Sequence, residues 1–143
     1  MRSRVVLDTN VLRAALWSSK GASFRLIRSL PIPNVTVLLS VPLFLEYQEL
    51  LTRAEQLPPG VSASRMHGFS RRFAAFPEPR AIYFLWRPWL RDPDDDMVLE
   101  LDVSGSATHL VTFNGRDFAG VEEAFGIRVM TPGKFLASLP ANP

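Results

Sequence analysis

Short unbroken apolar runs alternate along the chain with stretches whose apolar residues recur every three or four positions. Arg4 to Leu7 is a compact run of the first kind, ending at Asp8. From about Asn10 to Leu30 the spacing turns helical, with Ala22, Leu26 and Leu30 along one face, until Pro31 and Pro33 stop it. Val35 to Leu39 reads as a second strand, and Ser40 as the N-cap of a helix from Val41 to about Gln56 with Pro42 in its first turn. Leu57 to Gly60 is a proline-bearing loop. A helix is then expected from about Ser62 to Phe76, where Met66, Phe69, Phe73 and Phe76 form one stripe. Arg80 to Trp86 reads as a third strand, Asp94 to Val103 as a helix, and Leu110 to Phe113 and Ile127 to Met130 as a fourth and fifth strand. A short helix near Phe135 closes the chain.

Continuous apolar strands separated by helices indicate a parallel sheet covered on both faces, an α/β fold. In such sheets ligands bind beyond the carboxyl ends of the strands. With 143 residues the chain suits a single domain spanning 1–143.

Composition narrows the chemistry. There is no cysteine, which excludes disulfides, thiolate zinc sites and a thiol nucleophile. No secretory signal or membrane span is visible, so a soluble, cytoplasmic protein is expected. The net charge of +2 averages two unlike halves: residues 1–91 carry 13 basic and 5 acidic side chains, and residues 92–143 carry 3 basic and 9 acidic. Fourteen of the 16 basic residues are arginine, whose guanidinium grips phosphate bidentately.

The acidic residues gather at the expected strand ends. Asp8 follows the first strand directly, Asp117 lies just beyond the fourth, and Asp92, Asp94, Asp95 and Asp96 crowd the start of a helix. Glu46 lies on the border of the apolar stripe of its helix. Each has an ordinary explanation as a turn residue, an N-cap or a charge complementing a helix end. Convergence is what those explanations leave out. Two carboxylates about 4 Å apart repel by roughly 4 kcal/mol at an effective dielectric near 20, so several together must protonate or bind a cation. Oxygen donors without histidine or cysteine favour Mg²⁺ or Mn²⁺, and such ions suit phosphodiester hydrolysis. His67 and His109 stand apart from these groups.

The ordered set Leu7-Asp8-Thr9-Asn10-Val11-Leu12, Ser40 with Glu46, Asp92-Pro93-Asp94-Asp95-Asp96, and Leu110-Val111-Thr112 leading to Asn114 and Asp117-Phe118 carries a resemblance. The sequence resembles the PIN-domain nucleases, in particular the ribonuclease toxins of bacterial toxin–antitoxin pairs, over nearly its whole length. The resemblance implies a three-layer α/β/α fold with a mainly parallel sheet of about five strands. It also implies divalent-metal-dependent cleavage of RNA. Asp8, Glu46, Asp96 and Asp117 look like the acidic quartet, with Asp8, Asp96 and Asp117 as the main metal ligands. Asp96 opens the Asp-x-x-Leu pattern, and Asp94 and Asp95 are its substitutes. Thr9 and Asn10 look like residues that orient Asp8 or a water. Asn114 stands where relatives carry aspartate or asparagine, and Asp102 where a small residue is more usual. A cognate antitoxin and a homodimer are the implied protein partners.

Arg65, Arg71 and Arg72, on the Ser62–Phe76 helix, form either a basic rim for RNA phosphates or a solubilising face. Trp86-Arg87-Pro88-Trp89 offers indoles for base stacking or for local packing. Two rival readings remain: a catalytically silent PIN module that binds RNA or protein, and a receiver-like phosphoacceptor domain.

Overall fold

β1 (Ser3–Leu7) is the central strand, with Val5, Val6 and Leu7 wholly buried. In the computed structural model, which describes residues 2–18, 20–52, 78–79, 90 and 93–140, β1 pairs in parallel with two neighbours. On one side lies β2 (Val35–Leu39), with Val5 beside Val37. On the other lies β4 (His109–Val111), with Leu7 beside Val111. β3 (Glu78–Pro79) extends the sheet beyond β2, and β5 (Arg128–Met130) extends it beyond β4. All pairings are parallel and the order is β3-β2-β1-β4-β5. The receiver-like reading requires the order 2-1-3-4-5, so the topology overturns it.

The helices are α1 (Thr9–Trp17), α2 (Ala22–Ser29), α3 (Val41–Thr52), α4 (Pro93–Ser104), α5 (Val121–Phe125) and α6 (Pro132–Ser138), with a 3₁₀ turn at Gly115–Phe118. From β1 the chain steps to β2 and β3, then crosses back to β4 and β5. Right-handed crossovers therefore put α1 to α3 on one face of the sheet and α4 and α5 on the other. α6 returns to pack on α2. The expected three-layer α/β/α architecture is the one observed. Val11, Leu12, Leu26, Leu43 and Tyr47 bury one side, and Val98, Leu99 and Leu101 another. Gly105, just after α4, allows that closure. A Cβ there would stand 2.7 Å from Leu38 Cδ1 and 3.0 Å from the Leu101 carbonyl oxygen.

The single helix expected from Asn10 to Leu30 is two. Ser18 leaves α1 in an extended conformation and its hydroxyl accepts from the Lys20 amide at 3.3 Å. That local bond competes with the helical one, the usual reason serine favours turns. The fourth strand spans His109–Val111 rather than Leu110 to Phe113, and just beyond it the Thr112 hydroxyl turns to Asp8. Ser40 caps α3 as expected, accepting from the Leu43 amide at 3.2 Å. α4 starts and stops within one residue of its expected bounds. The expected Ser62–Phe76 helix, with Arg65, Arg71 and Arg72, lies outside the described residues, as does the expected strand from Arg80 to Trp86. Among the described residues no helix is long and apolar enough to cross a membrane.

Candidate active site

The strand order reverses between β1 and β4, so their carboxyl ends open a crevice at the switch point. Asp8 stands at that point. Its backbone amide extends the β1–β4 ladder by donating to the Val111 carbonyl at 2.9 Å, and its side chain caps α1. Chain geometry thus aims one carboxylate at the crevice.

Both carboxylate oxygens of Asp8 are held. Oδ1 accepts from the Thr9 amide at 2.8 Å, and Oδ2 accepts from the Thr112 hydroxyl at 2.8 Å. The Thr112 oxygen accepts in turn from Asn10 Nδ2 at 3.2 Å and from the Asn114 amide at 3.0 Å. Asn10 Oδ1 takes the Phe113 amide at 3.3 Å. On the other flank the Thr9 hydroxyl donates to Glu46 Oε1 at 2.8 Å, tying α3 to the start of α1. Asp8, Thr9, Asn10, Glu46 and Asn114 are therefore joined in one polar network, Asn114 through its backbone. Thr112, to which the sequence pattern gives no role, is the hub.

Asp8 is 8% exposed. Burial pushes its carboxyl above the ordinary value, the Thr112 and Thr9 hydrogen bonds pull it down, and the negative charge of nearby Asp117 pushes it up again. Asp117 itself is exposed, on the 3₁₀ turn. Tyr47 is buried beneath this edge, its hydroxyl donating to the Leu7 carbonyl. Burial first, then the charges of Asp8, Glu46 and Asp102, push its phenol well above its usual range.

The α4 acids stand at the same edge of the fold, in the first turn of a helix that runs back along the sheet. Asp95 is half-buried. It lies three, four and seven residues before buried Val98, Leu99 and Asp102, one face of the helix. Position 96 heads the adjacent row, through half-buried Glu100 and Val103. Asp102 is wholly buried, and neither of its oxygens has a hydrogen-bond partner. Burial, then the charge of Asp8, pushes its carboxyl well above the ordinary value. His109 opens β4, its Nδ1 2.7 Å from the Thr108 hydroxyl, with its ring edge-on to Phe135.

A search against protein-family models matches the PIN domain over residues 4–116. The chain belongs to the PIN-domain family. No curated protein matches it. PIN domains are typically nucleases and generally use divalent metal ions, so the family places this chain among hydrolases acting on nucleic acid. The donor chemistry of the PIN edge fits such an ion: oxygen ligands only, with a buried carboxylate held beside a second negative charge that a cation would offset. Among the described residues no three acidic or histidine side chains stand close enough together to hold a metal.

Proposed function

We propose that this PIN domain is a divalent-metal-dependent endoribonuclease, the toxin of a toxin–antitoxin pair, hydrolysing RNA phosphodiester bonds. The observation that carries the reading is Asp8: a nearly buried carboxylate at the switch point, fixed through both oxygens and facing the charge of Asp117. Asp8 and Asp117 are two ligands for Mg²⁺ or Mn²⁺, and the first turn of α4 supplies the third. The Asp-x-x-Leu pattern gives that place to Asp96, with Asp94 and Asp95 as its substitutes.

A divalent cation bound there supplies a Lewis acid that makes water a nucleophile at neutral pH and offsets phosphate charge. The chain supplies the positioning. Each Asp8 oxygen spends one lone pair on a protein donor and keeps another for the cation. Thr112 and the Thr9 amide fix the carboxylate plane, so little reorganisation is needed on binding. Glu46, anchored by the Thr9 hydroxyl, orients the attacking water or takes its proton. Asn10 and Asn114 hold Thr112 in register. Arg65, Arg71 and Arg72 complete the proposal as phosphate contacts outside the described residues. A cognate antitoxin, a homodimer, a cytoplasmic location and a single domain over 1–143 belong to the same reading.

Cleavage of single-stranded RNA with Mg²⁺ or Mn²⁺, with and without chelator, tests it. The wild type is expected to cleave only with metal, and a folded Asp8→Asn variant is expected to be inactive. Full activity in that variant sinks the assignment. A folded wild type that binds RNA without cleaving it favours the silent-module reading.

A further inference from the structure

Among the described residues three large apolar side chains are well exposed: Trp17, Leu45 and Phe113. Phe113 directly follows Thr112, whose hydroxyl holds Asp8, and is 47% exposed. Its backbone is pinned. The Phe113 amide donates to Asn10 Oδ1 at 3.3 Å, the next amide donates to Thr112 Oγ1 at 3.0 Å, and the Asp117 amide closes the turn on the Asn114 carbonyl at 3.0 Å. The result is a fixed ledge with a phenyl ring turned to solvent beside a carboxylate centre.

Cations accompany the ring. Arg116 is exposed on the same ledge, and Arg13 is exposed on α1, one turn beyond Thr9. Neither guanidinium has an ion-pair partner among the described residues, although acidic side chains lie in both regions. An exposed aromatic ring on the same turn as an exposed arginine matches single-stranded nucleic acid, whose bases stack on rings while its phosphates take guanidinium. A base held in a duplex has no free face to offer.

We propose that Phe113 stacks on an unpaired base next to the scissile phosphate, with Arg116 taking a neighbouring phosphate. The inference rests on the nuclease reading above and adds the residues that hold the substrate beside the carboxylates. Stacking is indifferent to base identity, so Phe113 does not read sequence. The ring lies outside the buried core cluster, so its removal is expected to leave the fold intact.

Two measurements test it. In steady-state cleavage of a single-stranded oligonucleotide, Phe113→Ala raises KM by about 5- to 150-fold, the equivalent of one lost base stack, with kcat little changed. Phe113→Tyr and Phe113→Trp restore KM, and the melting temperature stays at the wild-type value. An unchanged KM in a folded Phe113→Ala overturns the proposal, as does a loss that neither aromatic replacement rescues. The second measurement needs no catalysis. In an Asp8→Asn background, Phe113→Trp adds an indole whose fluorescence is quenched by single-stranded oligonucleotide and not by duplex, relative to the parent carrying Phe113. Equal quenching by duplex, or none by either, overturns it. If only binding of a protein partner responds to Phe113→Ala, the ring is a protein contact and the proposal fails. A wild type without chelator-sensitive cleavage refutes the nuclease reading by itself, and the fluorescence measurement then decides the stacking contact separately.

Discussion

Two aspartates are buried among the described residues, and they could hardly be treated more differently. Asp8, at the end of β1, has both oxygens hydrogen-bonded and opens onto the crevice. Asp102, on the face of α4 that packs against the sheet, is completely enclosed with both oxygens unpartnered. Burial raises the carboxyl of each, but only at Asp8 do hydrogen bonds work against it. A buried charge without a partner costs far more than a protonated acid, so enclosure favours the protonated form of Asp102. The contrast separates an acid prepared for a cation from one that the fold merely tolerates.

The comparison breaks most visibly if Asp8 is neutralised. Asp8→Asn is expected to lower metal-dependent cleavage by more than about 100-fold, beyond the usual cost of losing an outer partner of a metal ligand. Circular dichroism should report a folded protein. Next in size is Thr112→Val, which keeps the shape of the side chain and removes the hydroxyl from Asp8, Asn10 and the Asn114 amide. Activity should fall about 10- to 100-fold and metal affinity, measured by titration calorimetry, should weaken with it. Wild-type metal affinity in this variant would mean that Asp8 does not need its hub. Thr9→Val is expected to cost about 10-fold by releasing Glu46, whereas Thr9→Ser retains the hydroxyl and should stay near wild type.

Asp102 sharpens the comparison through stability. Its proton is kept in the folded state and lost from the unfolded chain above the ordinary carboxylate value. Wild-type stability therefore falls as pH rises from about 4 toward the raised folded-state value, by up to about 1.4 kcal/mol per pH unit for that proton. Asp102→Ala removes the enclosed polar atoms and should stabilise the protein by about 1–3 kcal/mol at pH 7 in urea unfolding, with less gain near pH 4. Asp8 titrates in the same direction, so the slope should shrink by one group rather than vanish. A variant no more stable than wild type at pH 7, with an unchanged slope, would mean that Asp102 is ionised and paired.

Much of the framework was legible in the chain. Four of the five expected apolar runs lie on strands of the parallel sheet, Ser40 is the expected cap of α3, and the position of Asp8 immediately after a strand put it at the carboxyl edge. Local rules govern each of these, since burial on both faces demands continuous apolar strands and an N-cap demands a short polar side chain. The break between α1 and α2 was also local, written in Ser18-Ser19-Lys20-Gly21, but helical periodicity continued across it and masked it. Thr112 was harder. A β-branched residue at a strand end is ordinary, and only the approach of residues 104 positions apart turns its hydroxyl into a partner of Asp8.

The sequence alone determined which residue types were available and at which element ends they fall. Spacing within one element is set by 3.6- and 2-residue periods, so an acid after a strand or in a first helical turn can be placed without knowing its neighbours. Tertiary structure decided how those acids are used. Hydrogen bonding, burial and mutual repulsion depend on distances between β1, α3, α4 and the turn after β4, which no single period encodes. Those distances give Asp8 two partners and the charge of Asp117. They leave Asp102, chemically the same residue, buried with none.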